Sequence, residues 1–369
     1  MEPDTWHITA MANAPTFDPN NYEEAYRLRP LTYNERSIID DLTYIDIPVF
    51  LLSGEDLRQA TVDQRADPNY QKYIFDNLLG PQDIVDKNII FPYEPWSIFK
   101  ALTLAIWVDS DSISMYEFYN DPGFVDIGPY TIANIASQCK WDNTFLHALA
   151  FSCNVWMVRI AQKMSKYVFY AYLKKLWFWE KTTIELAGEE SWTLPDFNAI
   201  SVARFFNNTF GQGLLATPLQ MAVAYSALVN WGYYVQPTLV EAIYDPNKEH
   251  FQSLWQKRRK KIFKTTTSEQ MKEALVHVVN EWWLQKYKKE HLSIGWKTGT
   301  SEIAFRWKYQ WGAWWTNWSL VGMITANHTK YVIVIQVRRP RNSPWWSDTA
   351  WKIFDYLANY LIAYENIDS

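Results

Sequence analysis

The sequence predicts a mixed α/β fold: one sheet built from the two ends of the chain, with a helical subdomain inserted between them. Three observations predict it. A strand-like alternation lies near the N-terminus, long apolar helix-compatible runs fill the middle, and three successive strand-like runs with a final amphipathic helix close the chain. With 369 residues, 48% of them hydrophobic, the chain can bury a large core, as one domain or two.

Taken in order, Asp4-Thr5-Trp6 reads as a turn and His7 to Ala12 as a half-buried strand. A domain rarely begins this close to a turn, so Met1 is expected to be an internal methionine of a longer chain, truncated here at its N-terminus. Residues 13–92 are loop-rich, punctuated by Pro15, Pro19, Pro30, Pro48, Pro68, Pro81 and Pro92. Ser97 to Ile106 reads as a helix, Phe145 to Met164 as a second long helix, and Pro218 to Val229 as a third with proline in its first turn. Residues 101–270 are therefore expected to be mainly helical. In the last segment, 290–369, Ile294–Ile303, Trp318–Ala326 and Tyr331–Arg338 read as strands, the last two joined by Asn327-His328-Thr329-Lys330. Thr349 to Tyr364 reads as the closing helix. There is no internal repeat and no low-complexity tract.

Composition excludes several classes. The charged fraction is 20% and the net charge -5, which rules out a disordered chain, a collagen-like chain and a disulfide-stapled mini-protein. The mild acidity argues against nucleic acid as a partner. The one dense basic run, Lys257 to Lys261, reads as a solvated helix end or loop. The cysteines, Cys139 and Cys153, leave a structural disulfide open without requiring one. The six histidines are scattered, so no metal site and no cofactor is expected. No apolar run reaches the about 18 residues of a membrane span, and with Glu2 and Asp4 directly after Met1 no signal peptide is expected in this stretch.

Three short motifs follow one another: Ser97-Ile98-Phe99-Lys100 (S-x-x-K), Ser152-Cys153-Asn154 (S-x-N) and Lys297-Thr298-Gly299-Thr300 (K-T-G-T). Each suits nucleophilic acyl transfer. Ser97 needs a neighbour to take its proton, and Lys100, three residues on, shares its helix face. Lys100 is a base only if burial or a nearby cation lowers its pKa, and Lys297 is a candidate for that cation. Ser152 is placed to relay a proton to the leaving amine, and Asn154 to bind a substrate amide. The N–H groups of Ser97 and Thr300 are candidates for an oxyanion hole, and the hydroxyls of Thr298 and Thr300 for a carboxylate site beside Gly299. A second S-x-x-K, Ser137 to Lys140, reads as accidental.

Over nearly its whole length the chain resembles the transpeptidase domain of class B penicillin-binding proteins. Tyr93-Glu94-Pro95-Trp96-Ser97-Ile98-Phe99-Lys100 resembles that family's Y-E-P-G-S-T-F-K, and Phe210-Gly211-Gln212-Gly213 with Thr217-Pro218-Leu219-Gln220 its F-G-Q-G and T-P-L-Q. Asp4 to Ala12, Phe17 to Asn20, Asn317 to Gly322 and Arg339 to Ile353 resemble its opening and closing segments. Residues from about 29 to 87 match nothing in that pattern and look like an insertion. The resemblance implies a mainly antiparallel sheet with helices on both faces and a D,D-transpeptidase that cross-links peptidoglycan. Ser97 would attack a stem peptide ending in D-Ala-D-Ala, release D-Ala, and pass the acyl group to a neighbouring amine; β-lactams would acylate the same serine. It further implies a membrane anchor, an extracytoplasmic catalytic domain, and a membrane glycosyltransferase partner contacted through a preceding region. The division-type branch fits somewhat better than the elongation type. The rival readings are a D,D-carboxypeptidase, a serine β-lactamase, or a silent sensor on the same fold.

Tryptophan is out of proportion. The chain has 21 Trp and 12 Gly, where about 26 Gly is ordinary for this length. Where the family pattern has glycine, this chain has Trp6, Trp96, Trp156, Trp177, Trp179, Trp231 and Trp296, with Trp346 and Trp351 in the closing segment. Glycine serves such places by tolerating positive φ or close approach, and tryptophan does neither. Four readings arise: UGA codons read as tryptophan in a chain whose source reads them as glycine, deliberate replacement, an aromatic platform for glycan or membrane, and a decayed homologue. The first accounts for the turn positions. It carries the expectation that the chain as written folds poorly or is inactive, because Trp96 and Trp296 crowd the cleft.

Overall fold

A computed structural model describes residues 1–32, 47–53, 56–77, 79–128, 130–191, 198, 200–247, 249–253, 259–281, 292–305, 308–310, 315–326, 329–340 and 349–365. The chain divides into two compact units, Met11–Ile90 and Met1–Ala10 with Phe91–Ser369.

The smaller unit holds an antiparallel sheet of β1 (Leu28–Pro30), β2 (Val49–Ser53), β3 (Asp56–Gln59) and β4 (Lys72–Phe75), in the order β1-β4-β2-β3. Two short helices, α1 (Val62–Ala66) and α2 (Lys87–Ile90), accompany it. Leu31, Ile47, Val49 and Ile74 make its core. Thr61 Oγ1 accepts from Gln64 N while Gln64 Oε1 accepts from Thr61 N, a capping box that starts α1. The loop-rich reading is corrected here. Its prolines end elements rather than abolish them: Pro30 closes an edge strand and Pro81 opens a 3-10 turn.

In the larger unit α3 (Phe99–Asp109) leads into two antiparallel ribbons, β5 (Phe118–Asp121) with β8 (Trp141–Thr144) and β6 (Phe124–Ile127) with β7 (Tyr130–Ala133). Helices α4 (Phe145–Ala150), α5 (Val155–Ala161), α6 (Lys166–Lys175), α7 (Val202–Thr209) and α8 (Pro218–Val229) follow. Next come β9 (Tyr233–Val235), β10 (Ala242–Asp245), β11 (His250–Ser253) and β12 (Arg259–Lys261), then α9 (Thr265–Glu281). The chain closes with β13 (Leu292–Phe305), β14 (Lys308–Gln310), β15 (Thr316–Ala326), β16 (Thr329–Arg338) and α10 (Ala350–Tyr364).

The main sheet is antiparallel throughout, in the order β14-β13-β15-β16. All twelve residues of α8 are buried, matching a sequence apolar on every side, and Thr217 and Gln220 form its capping box ahead of Pro218. Helix α10 lays Phe354, Ala358 and Ile362 into the core and leaves Tyr356, Tyr360 and Tyr364 exposed.

Three expectations about elements change. The predicted strand His7–Ala12 is reduced to a parallel bridge between His7 and Thr238, while Met1 exchanges both backbone hydrogen bonds with Val332 of β16. The N-terminal end thus contributes one residue pair to the main sheet, and the chain then turns at Trp6, fully buried with φ 66. The helix expected from Phe145 to Met164 is broken into α4 and α5 around Ser152, which has φ 57. The basic run is also reread: Arg259 to Lys261 form the exposed strand β12, paired with β9, and Arg259 and Lys261 lie over the Tyr233 ring. Lys257 and Arg258 lie outside the described residues.

Candidate active site

Ser97 lies in a 3-10 turn, Trp96–Ile98, that runs directly into α3, and Lys100 stands in the first turn of that helix. The i, i+3 spacing therefore places both on one face, as the sequence predicts. The turn is tied down by its surroundings. Tyr225 of α8 donates its hydroxyl to the Ile98 carbonyl, and Thr103 Oγ1 donates to Thr209 O at 2.6 Å. Glu94 accepts from Trp96 Nε1 at 2.8 Å and from Gly213 N at 3.1 Å. Trp96 N donates to Gly211 O at 3.2 Å. Gly211 has φ +83, and a Cβ there would stand 2.5 Å from Trp96 O, so this segment needs glycine to pack beneath the serine turn.

Strand β13 closes on the same turn. A Cβ on Gly299 would come within 2.9 Å of Ser319 Oγ and 3.0 Å of both Pro95 O and Ile98 Cγ2. The glycine of K-T-G-T thus lets the strand press against the segment carrying Ser97. Thr298 and Thr300 flank it, both half-buried. Lys297 is 1% exposed, and its Nζ donates to Thr298 O at 3.1 Å. Burial depresses its pKa to about 7.

Lys100 is completely buried. Its Nζ lies 2.6 Å from Ser152 O, 2.6 Å from Asn154 Oδ1 and 3.3 Å from Ser152 Oγ. Burial first, and the neighbouring Lys297 cation second, hold its pKa well below the ordinary lysine value. Both causes act against the charged form of the amine. The three oxygens around Nζ match the three N–H groups of an ammonium, so loss of its proton would free one of these positions for a hydroxyl proton. The S-x-x-K, S-x-N and K-T-G motifs converge through Lys100. Among the described residues the Ser97 hydroxyl has no hydrogen-bond partner. Ser137 and Lys140 of the second S-x-x-K are both exposed.

The S-x-N turn is held from outside its own helices. Asn134 Oδ1 accepts from Asn154 N at 2.6 Å and Val155 N at 3.0 Å, and Ala133 O accepts from Asn154 Nδ2 at 2.9 Å. Cys139 and Cys153 form a disulfide, so the middle residue of the motif is covalently tied to the ribbon side. The sequence left this bond open and gave no sign of Asn134. Its only signal was a cysteine inside the S-x-N motif.

The tryptophans separate into two groups. Trp6 (φ 66), Trp96 (φ 46), Trp177 (φ 55) and Trp231 (φ 64) have left-handed backbones, and so does Trp141 (φ 76), which the motif comparison missed. Among the described residues they are five of the ten non-glycine positions with positive φ, in a chain where tryptophan is 21 of 369 residues. Trp156 and Trp296, by contrast, lie in a helix and a strand, Trp351 lies in α10, Trp179 is not left-handed, and Trp346 is outside the described residues. The expectation that Trp296 crowds the cleft is corrected. Neighbouring strand residues face opposite ways, and Trp296 packs under α10 against Trp351 and Phe354, with ring centroids 4.8 and 5.7 Å away. The Trp96 indole is held by Glu94, and what is unusual there is the backbone.

Among the described residues no group of three or more His, Cys, Asp or Glu is placed to hold a metal ion, and no helix is long and apolar enough to cross a membrane.

Comparison with known proteins bears on this geometry. The chain is 28% identical over 257 residues to stage V sporulation protein D of Bacillus subtilis, covering 68% of this chain and 39% of that protein. It is 28% identical over 243 residues to a peptidoglycan D,D-transpeptidase FtsI homologue of Mesostigma viride, covering 58% and 40%. The chain thus spans about two fifths of these relatives. The fold matches that of penicillin-binding protein 3 from Mycobacterium tuberculosis in its apo form, with TM-score 0.70, 20% identity and coverage of 91% of this chain and 78% of that one. It also matches the D,D-transpeptidase domain of a peptidoglycan glycosyltransferase from Eggerthella lenta, with TM-score 0.66, 22% identity and coverage of 92% and 72%. The family model for the penicillin-binding protein transpeptidase domain matches residues 1–355, and the chain belongs to that family.

Proposed function

We propose that the chain is the catalytic domain of a serine D,D-transpeptidase of the division type, acting on peptidoglycan stem peptides that end in D-Ala-D-Ala. The observation that carries this reading is the placement of Lys100, buried beside Lys297 with its Nζ on Ser152 O, Ser152 Oγ and Asn154 Oδ1. Lys100 takes the Ser97 proton as Ser97 Oγ attacks the donor carbonyl. The oxyanion is received by the N–H groups of Ser97 and Thr300. Ser152, whose Oγ is 3.3 Å from Lys100 Nζ, passes the proton to the departing D-Ala amine. Asn154 holds a substrate amide, while Lys297, Thr298 and Thr300, on the strand that Gly299 lets close, hold the carboxylate. A neighbouring stem's amine then attacks the acyl-enzyme by the reverse proton path. β-Lactams acylate the same serine. The Cys139–Cys153 disulfide supports an oxidising, extracytoplasmic location, with a membrane anchor and a glycosyltransferase partner supplied through the preceding region.

The test is a donor pentapeptide offered with and without an amine acceptor. Transfer to the amine with release of D-Ala is expected. Release of D-Ala by hydrolysis alone would assign a D,D-carboxypeptidase instead, rapid turnover of penicillin a β-lactamase, and a permanent acyl-enzyme without transfer a sensor.

We also propose that Trp6, Trp96, Trp156, Trp177, Trp179, Trp231, Trp296, Trp346 and Trp351 stand where the protein's source places glycine, and we add Trp141. The left-handed φ of Trp6, Trp96, Trp141, Trp177 and Trp231 supports this, since such a backbone costs a bulky residue about 1–2 kcal/mol. The others rest on motif resemblance alone. The glycine form should fold and acylate better than the tryptophan form. Equal labelling of the two by fluorescent penicillin, or UGG codons at these positions, contradicts the idea.

A further inference from the structure

Ser152 holds a left-handed backbone, a conformation that surrounding contacts must enforce in a residue with a Cβ. Contacts to the end of α4 supply that: Ser152 N donates to Leu149 O at 3.2 Å and Cys153 N to Ala148 O at 2.9 Å. The residues that follow Ser152 are held by Ala133 and Asn134. The Asp121 side chain is fully buried. Its Oδ1 accepts from Asn134 Nδ2 at 2.9 Å and from Gly123 N at 2.8 Å, and its Oδ2 accepts from Tyr119 OH at 3.0 Å. Tyr119 stacks on Phe145 of α4 at 5.2 Å. With its amide nitrogen committed to Asp121, Asn134 must turn Oδ1 toward Asn154 N and Val155 N. Asn154 then offers Oδ1 to Lys100 Nζ. A continuous path of polar contacts runs from a buried carboxylate to the amine that serves Ser97.

We propose that Asn134, oriented by Asp121, is a positioning residue for acyl transfer, setting where Ser152 and Asn154 stand relative to Lys100. The inference rests on the transpeptidase reading above. Asn134 touches no reacting atom. It fixes which oxygens meet the Lys100 amine. Misplacing such a group by about 1 Å costs on the order of 100-fold.

The test follows acylation by fluorescent penicillin across pH in the parent, Asn134→Ala, Asn134→Asp, and the exchanged pair Asp121→Asn with Asn134→Asp. Asn134→Ala should acylate about 10- to 100-fold more slowly while still labelling Ser97. Lys100 loses a partner for its ammonium form, so the acid limb of the rate should move to lower pH. Lys297 is the charged neighbour acting on Lys100 and is unchanged in every variant. Asn134→Asp sets two carboxylates side by side and should be slowed in the same way. The exchange restores an amide–carboxylate pair and should recover most of the rate. Full-rate acylation by Asn134→Ala overturns the proposal. So does a loss that only tracks the fraction folded, with an unmoved acid limb and no recovery on exchange. A parent that never acylates, in its glycine form as well as its tryptophan form, defeats the transpeptidase reading instead. The clamp is then judged by the crystal structure of Asn134→Ala, where Asn154 still seated on Lys100 would overturn it.

Discussion

Ser97 and Lys100 stand on one continuous helix start, whereas Ser152 and Asn154 stand where a helix is interrupted. The first pair is fixed by the 3.6-residue period and by burial of α3 on every side. The second pair is fixed by residues far along the chain: Asn134, Ala133 and Cys139 hold a turn whose own backbone is left-handed. Lys100 belongs to the first region and spends its hydrogen bonds on the second. The proposed base is thus built into the core beside a half-buried Ser97, and the proposed proton relay is brought to them on a braced loop. Damage to the first region should stop the chemistry, and damage to the second should slow it.

The largest effect should come from Ser97→Ala, which removes covalent labelling by fluorescent penicillin altogether. Lys100→Met keeps the hydroxyl without its base and should slow acylation by about 100- to 10,000-fold in stopped-flow labelling. Lys297→Met should cost about 100- to 1,000-fold, the scale of losing one electrostatic contact to the reacting group. It also tests a sign. Lys297 has its pKa depressed to about 7, so in the parent its charge is present below that pH and fades above it. Capture of an anionic penicillin should weaken as pH rises through about 7, and Lys297→Met should lose that decline.

Effects in the braced region are expected in stability. The Cys139–Cys153 bond closes a sequence separation of 14, and replacing both cysteines with serine should cost about 3 kcal/mol in denaturant unfolding. The smallest effect is at Trp141, which is 75% exposed with φ 76. Trp141→Gly gives up little packing and should raise stability by about 1 kcal/mol, measured the same way. A loss there would break the argument that this turn was shaped for glycine.

How much was legible follows the same division. The helix Pro218–Val229 and the three strands of the main sheet were readable because their apolar periods and caps are local. The grouping of Ser97, Lys100 and Lys297 was readable because each lies in a short local motif. The break at Ser152 was not, since residues 145–164 carry no glycine or proline and the residues after the turn are held by Asn134 from outside the segment. The sheet within Met11–Ile90 was missed because its strands are three to five residues long and lie among prolines. Trp296 was misjudged because proximity to Lys297 in sequence was taken for proximity to the cleft, and strand alternation sends it the other way.

The central claim is that Ser97 is the nucleophile served by Lys100. Intact mass spectrometry after incubation with penicillin, followed by peptide mapping, tests it most directly. The account predicts one persistent adduct per chain, on the peptide that contains Ser97, absent from Ser97→Ala. No adduct on the folded glycine form, or an adduct on Ser152 or Ser137 with Ser97 free, would contradict it.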